Sequence, residues 1–258
     1  MRTVVPLDET AEETPSTVTL RFRYAPEAVP GQFVMLWVPG DDELPMSLSY
    51  TEGASKGVTV KAMGDTSRRI LTLRRGELVG VRGPYGHGFD LTPRRVLVVA
   101  GGSGAAVLAP ATELASRRGA RVTVALGATT GAELLFAGRF RAMGADVVIA
   151  TDDGSVGEHG FVTAPADRLL EERPFDAVWT CGPEVMMAKV AQSARARGVP
   201  AFCSVERHMK CALGMCDACA LGPYHVCLEG PVFEAERLFA ETEFGRFHRD
   251  ASGRRQPG

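Results

Sequence analysis

The sequence predicts an α+β chain of several units: an antiparallel β-barrel, then a doubly wound α/β domain, then a small cysteine-rich loop unit. Three observations carry this. Short strand-like runs separated by turn residues fill the first part, apolar runs alternate with helical stretches from Val96 onward, and five of the six cysteines crowd into the 25 residues from Cys203 to Cys227.

The barrel rests on VTLRFRY (18–24), QFVMLWV (32–38), MSLSY (46–50), GVTVKAM (57–63) and ELVGVRG (77–83). Pro30-Gly31, Pro39-Gly40 and Gly53 punctuate them, and strands so short and so spaced suit a barrel or sandwich. One helix is expected from about Thr66 to Leu73, before the last strand. The opening stretch MRTVVPLDETAEETPS is acidic and lacks the apolar core of a signal peptide, which points to a cytoplasmic protein.

The α/β unit rests on VLVVA (96–100), RVTVAL (121–126), DVVIAT (146–151), DAVWTC (176–181) and AFCSV (201–205). These are near-continuous apolar runs, as strands covered on both faces require. Helices are expected over 104–118, 131–142, 163–172 and 184–197, the last stopped by Gly198 and Pro200. The expected units are therefore 1–92, 93–205 and 206–245, with a frayed tail over 246–258. The cysteine-rich unit is too short to build a hydrophobic core of its own and needs a staple.

Composition excludes some partners. With 45% apolar and 23% charged residues and a formal charge of −2, the chain offers no electrostatic attraction for nucleic acid or an anionic membrane. Its longest apolar run, Val96 to Ala111, is broken by Gly101, Gly102, Ser103 and Gly104, so no membrane insertion is expected.

The stretch KCALGMCDACALGPYHVC spaces Cys211, Cys216, Cys219 and Cys227 as Cys-x4-Cys-x2-Cys-x7-Cys. A tight loop of this kind points thiolates and backbone N–H groups at one [2Fe–2S] cluster, the last ligand returning from further along. A four-cysteine zinc site is the competing reading, although zinc ribbons pair two short Cys-x2-4-Cys units around a longer spacer. Unligated thiols are the third. Cys203 lies outside the pattern and reads as a buried core cysteine, and His208 and His225 flank the loop without forming a ligand pair.

Two segments suit a dinucleotide. Gly101, Gly102, Ser103 and Gly104 follow a strand and open a helix, a turn that admits a phosphate to the helix N-terminus. Cys181, Gly182 and Pro183 stand at the end of a later strand and would line the same crevice. Each turn could equally be a plain strand-to-helix connection. In the barrel, Pro45, Met46, Ser47 and Leu48 stand out, as do Gly64, Thr66 and Ser67 at a helix start, where the hydroxyls could cap the helix or bind a pyrophosphate.

In this order the segments resemble the ferredoxin–NAD(P) reductase superfamily and, within it, the electron-transfer subunits of NAD-dependent dihydroorotate dehydrogenase. Residues 44–49 look like that family's flavin segment Arg-x-x-Ser, 64–67 like its pyrophosphate turn, and 83–89 like its Gly-Pro-x-Gly-x-Gly-Phe loop. Residues 101–107 resemble its nicotinamide turn, 181–187 its Cys-Gly-Pro-x-x-Met-Met segment, and 206–233 its cluster loop. Leu44 and Val107 depart from the family's Arg and Pro, so the flavin would lean on Ser47, Thr66, Ser67 and backbone groups.

The resemblance implies FAD in the barrel, with Val60, Lys61 and Ala62 as further contacts, NAD in the α/β unit and a [2Fe–2S] cluster on the four cysteines. It implies Cys181 beside the flavin–nicotinamide contact. A hydride carrier delivers two electrons together and a cluster takes one, so a flavin must stand between them. Gly127 to Gly131 offers no Arg or Lys for a 2′-phosphate, and Asp152 and Asp153 stand at the next strand end, which favours NAD(H) over NADP(H). No room remains for a substrate barrel of about 250 residues. The resemblance therefore implies an FMN-containing dihydroorotate dehydrogenase catalytic subunit as partner, in a heterotetramer with two copies of each chain. The flavin subunit of a sulfhydrogenase or a ferredoxin–NAD(P) reductase is the alternative enzyme, and a zinc-stapled nucleotide-binding regulatory module the alternative of another class.

Overall fold

The structure is a computed structural model, and it describes residues 1–241, 243–249 and 254–257. Strands β1 (Thr3–Thr14), β2 (Thr17–Arg23), β3 (Phe33–Trp37), β4 (Glu43–Tyr50), β5 (Ser55–Lys61) and β6 (Leu78–Tyr85) close a barrel in the order β1-β2-β5-β4-β3-β6, every pair antiparallel. Alternation decides what fills it: Val18, Leu20 and Phe22 of β2, Val34 and Leu36 of β3 and Val79 and Val81 of β6 point into one buried cluster. Each such side chain contributes roughly 1.5–3 kcal/mol by leaving water. Helix α1 (Asp65–Leu71) follows β5 and drops Ile70 into the same core.

Strand β3 buries both faces. Its other side, Phe33 and Met35, belongs to a second cluster shared with the α/β unit and the cysteine loop. The barrel is thereby joined to the rest of the chain along β3, at the side that matters for the site.

The α/β unit comprises β7 (Arg95–Gly101), α2 (Gly104–Arg117), β8 (Arg121–Ala128), α3 (Ala137–Ala142), β9 (Asp146–Thr151), β10 (Glu158–His159), α4 (Thr163–Glu172), β11 (Ala177–Cys181), α5 (Glu184–Ala196) and β12 (Ala201–Ser204). With β15 (Val232–Glu234) they form a seven-stranded sheet in the order β10-β9-β8-β7-β11-β12-β15, parallel except for β15. This is the expected doubly wound arrangement.

The helix expected over 131–142 is divided. Gly131–Glu133 is a single 3₁₀ turn, Phe136 takes a left-handed φ of 63°, and only Ala137–Ala142 is α-helical. Leu135 and Phe136 are 3% and 8% exposed: the chain breaks the helix to bury an apolar run that a regular helix would spread around its surface.

The cysteine-rich segment is not a free-standing unit. Its short hairpin β13 (Ala220–Leu221) and β14 (Tyr224–His225), helix α6 (Val226–Glu229) and strand β15 are followed by α7 (Ala235–Phe239). β15 extends the sheet along β12, and Met209, Ala212, Cys219, Leu221, Val226 and Cys227 join the core cluster under α5. The loop thus borrows a core it cannot build. Of the tail expected to fray from 246, positions 250–253 and 258 lie outside the described residues; Phe247–Arg249 and Arg255–Pro257 pair as antiparallel strands.

Candidate functional site

The sheet reverses its order between β7 and β11, which pair up to Ala100 and Cys181. Ligands of open α/β sheets bind outside the carboxyl ends of the strands at such a point. There the chain leaves β7 through Gly102, at a left-handed φ of 54°, and a Cβ on Gly104 would stand 2.1 Å from the Cys181 carbonyl oxygen. Only glycine lets α2 start so close to β11, which brings its N-terminus to the crevice.

That crevice is a cavity of about 570 Å³. Gly101, Gly102, Ser103, Gly182 and Pro183 line it together, with Gly127 to Thr129, Asp152, Phe161 and the first turn of α5. A second cavity, of about 540 Å³, lies between the barrel and α2. Leu44, Pro45, Met46 and Ser47 of β4 and Thr59, Val60 and Lys61 of β5 form its barrel side, and Val205 to Met209 close it. Lys61, Met63, Ser103, Glu206 and Arg207 line both cavities, so ligands filling the two would meet at this wall.

The wall is charged, with Arg207 buried and Glu206 exposed to the cavities. The Arg207 side chain is 3% exposed and its Nη1 donates to Glu184 Oε1 at 2.5 Å and to the Glu206 carbonyl at 2.7 Å. Glu206 is exposed to the cavities it lines, yet desolvation by the surrounding protein, and then the neighbouring Glu184, push its carboxyl above the usual carboxylate range. Neither residue was singled out from the sequence as a nucleotide contact; the Glu-Arg at the head of the cluster loop was the available signal.

Other expected residues fall elsewhere. Leu48 points into the barrel core, and Ala62, Gly64, Thr66 and Ser67 line neither cavity. The Ser67 hydroxyl accepts from the N–H groups of Met63 and Gly64 and donates to the Gly64 carbonyl, each at 2.8 Å, and so ties the turn that starts α1. That is the capping use of a serine. Cys181, expected beside the meeting of the two ligands, is fully buried on the inner side of β11 with Trp179 and lines neither cavity. Burial, and then Glu206, hold its thiol well above the ordinary cysteine value.

From Arg207 the chain reaches Cys211 in four residues. Cys219 and Cys227 are buried, Cys211 is half-buried and Cys216 is exposed at the loop tip. Ala212 and Asp217 both take left-handed φ values, 59° and 56°, which fold the loop around its own sulfurs. The N–H groups of Leu213 and Met215 donate to Cys211 Sγ at 3.3 and 3.4 Å, and that of Gly214 to Cys227 Sγ at 3.3 Å. Desolvation raises the Cys211 thiol, but these N–H groups and the Cys216 thiol outweigh it and bring the value down to about 6. Burial and the Cys219 thiol push Cys227 up to about 12.

The four thiols act on one another: Cys216 bears on Cys211, and both Cys219 and Cys211 bear on Cys227. Among the described residues, no three Cys, His, Asp or Glu side chains are gathered as a single metal ion requires. Four thiols in one loop, two of them under main-chain N–H donors, are the ligand set that would hold a two-iron cluster. Cys203 is fully buried, its thiol raised by burial and then by Glu184, and His225 is engaged by Asp217 at 2.6 Å. No helix among the described residues is long and apolar enough to cross a membrane.

Comparison with known proteins agrees with this geometry. Residues 206–239 match the model of the iron–sulfur cluster binding domain of dihydroorotate dehydrogenase B. A Methanocaldococcus jannaschii protein described as "Probable dihydroorotate dehydrogenase B (NAD(+)), electron transfer subunit" is 41% identical over 251 residues, 96% of each chain. A Methanothermobacter thermautotrophicus protein of the same description is 42% identical over 98% of this chain and 97% of its own. Among solved structures, an NADH-dependent reduced ferredoxin-NADP oxidoreductase superposes with a TM-score of 0.82 at 28% identity, covering 91% of this chain and 89% of the other. A Malassezia yamatoensis flavohemoglobin with bound FAD and heme shares the fold at a TM-score of 0.66 and 17% identity, over 77% of this chain and 57% of its own. With near-complete coverage at such identity, the chain belongs to the family of electron transfer subunits of NAD(+)-dependent dihydroorotate dehydrogenase B.

Proposed function

We propose that this chain relays electrons from a dihydroorotate dehydrogenase catalytic subunit to NAD+, through a [2Fe–2S] cluster on Cys211, Cys216, Cys219 and Cys227 and FAD in the barrel-side cavity. One observation carries the reading. The two cavities share the wall of Glu206 and Arg207, and the same segment runs on directly into the first cluster cysteine, so three sites of different chemistry abut in one chain.

A bound flavin supplies the exchange between single electrons and a hydride that a cluster and a nicotinamide cannot make directly. The residues serve that exchange by position. Pro45, Met46, Ser47, Val60 and Lys61 offer strand edges to the flavin, and Gly101, Gly102 and Ser103 offer the α2 N-terminus to the pyrophosphate of NAD(H), with Gly182 and Pro183 opposite. Asp152 in the first cavity disfavours a further phosphate, although Lys61 and Lys189 also line it, which keeps the preference for NAD(H) over NADP(H) modest. The functional units are 1–92 for the flavin, 93–205 for the nicotinamide and 206–245 for the cluster.

The exposed Cys216 sits among Leu213, Met215 and Leu228, which are 55%, 79% and 50% exposed. An apolar rim around the outermost thiol is the surface a catalytic subunit would cover, two copies of each chain forming the assembly. Cys216→Ser tests the reading. It should abolish the cluster's absorbance and transfer to the partner while NADH still bleaches the flavin; loss of both activities with the fold intact would refute the order of carriers.

A further inference from the structure

Arg82 belongs to β6, on the far side of the sequence from the cysteines, and lies outside the 206–239 match. Its guanidinium bridges two units. On the barrel side, Nε donates to both Glu43 carboxylate oxygens at 2.9 Å and Nη2 to Oε2 at 2.6 Å. On the other side, Nη1 donates to the carbonyl of Cys211 at 2.6 Å and Nη2 to that of Lys210 at 2.8 Å. The Tyr85 ring stands 5.6 Å from the guanidinium carbon, and both members of the Arg82–Glu43 pair are mostly buried, 16% and 15% exposed.

Arg2 also holds Glu43, at 3.1 Å, so the trio keeps one net positive charge, and the guanidinium presents it to the main chain of the first cluster cysteine. Glu43 immediately precedes Leu44 to Ser47, the strand that lines the barrel-side cavity. A planar fork can hold two acceptors on each side at once, which a single ammonium cannot. One side chain thus fixes the spacing between the flavin strand and the cluster loop.

We propose that Arg82 is a positioning residue for electron transfer: it clamps the Cys211 end of the cluster loop to the flavin strand, and its charge raises the cluster's reduction potential. The inference rests on the cluster reading above. Positive charge and hydrogen bonding around the ligands are among the levers that set such potentials, and supporting partners of this kind are commonly worth about 10–100-fold in activity.

The test uses the full chain bearing Arg82→Gln or Arg82→Lys, with iron and FAD content, a redox titration followed by electron paramagnetic resonance, and the rate at which NADH reduces the cluster. Arg82→Gln should keep iron and FAD, lower the potential and slow cluster reduction by about tenfold or more. Arg82→Lys should restore the potential but not the rate. If Arg82→Gln fails to hold iron, Arg82→Lys decides alone, since a lowered potential at the parent rate overturns the proposal. So does Arg82→Gln with both quantities unchanged. A parent chain that binds zinc and no iron would instead defeat the cluster reading itself, and this inference with it.

Discussion

Gly104→Ala is the smallest change that tests the nicotinamide crevice. The added Cβ would stand 2.1 Å from the Cys181 carbonyl oxygen and 2.4 Å from its carbon, where ordinary contact begins at 3.4 Å. Both atoms are backbone, so no rotamer relieves the clash, and α2 must move off β11 by more than an ångström. Overpacking of this kind costs about 1–3 kcal/mol, which in a chain of this size lowers the Tm by roughly 2–4 °C per kcal/mol. The displacement also widens the gap between the Gly102 turn and Gly182, the stretch of the cavity wall proposed to take the pyrophosphate. A loss of about 1.4 kcal/mol there is tenfold in affinity. Calorimetric titration with NADH and a thermal melt measure the two effects. A variant with the parent's Kd and Tm would refute the close-approach argument and the placement of the ligand with it.

Three further outcomes are expected. Glu184→Ala removes the carboxylate from a buried ion pair and strands the Arg207 guanidinium, whose Nε and Nη2 already lack partners, at a cost of about 3–5 kcal/mol read by denaturant unfolding. Glu206 has a raised carboxyl, so between the ordinary carboxylate range and its raised value the folded chain holds a proton the unfolded chain has released. Stability should therefore fall as pH rises through that window, and Glu206→Gln should flatten the melting temperature against pH; an unchanged slope would count against a raised Glu206 carboxyl as its cause. Lys56 is 2% exposed and donates to the carbonyls of Thr51 and Gly53, so Lys56→Met should destabilise the β4–β5 turn by about 1–3 kcal/mol, visible as a lower melting temperature.

Much of this architecture is written in local patterns. Five of the six parallel strands announce themselves as apolar runs, β10 being the exception, and the glycine turn after β7 and the cysteine spacing are equally local. What escaped depends on distant partners. β1 reads TVVPLDETAEET, acidic and interrupted by Pro6, and its strand character comes from pairing with β2 and β6. Only Val5, Leu7 and Thr14 of it are buried, too few for a period-two signal. β15 likewise looked like the end of a loop, because its partner β12 is supplied by another unit.

The site divides in the same way. Cysteine spacing singles out the four proposed cluster ligands, since four thiolates in one short loop have few other uses. Ser67 and Cys181 were attractive by type and position, yet one turns its hydroxyl back on its own backbone and the other faces the core. Glu206 and Arg207 gain their place from the junction of two cavities, which no local pattern encodes.

The central claim is that nicotinamide, flavin and cluster form one electron path in this chain. Anaerobic titration of the chain with NADH, followed by visible absorption and electron paramagnetic resonance, tests it most directly. Two irons and one FAD per chain are expected, with loss of flavin absorbance on adding NADH, and then the resonance of a reduced two-iron cluster that is missing in Cys216→Ser. A colourless chain carrying stoichiometric zinc, or a cluster that NADH leaves oxidised while the flavin is fully bleached, would contradict it.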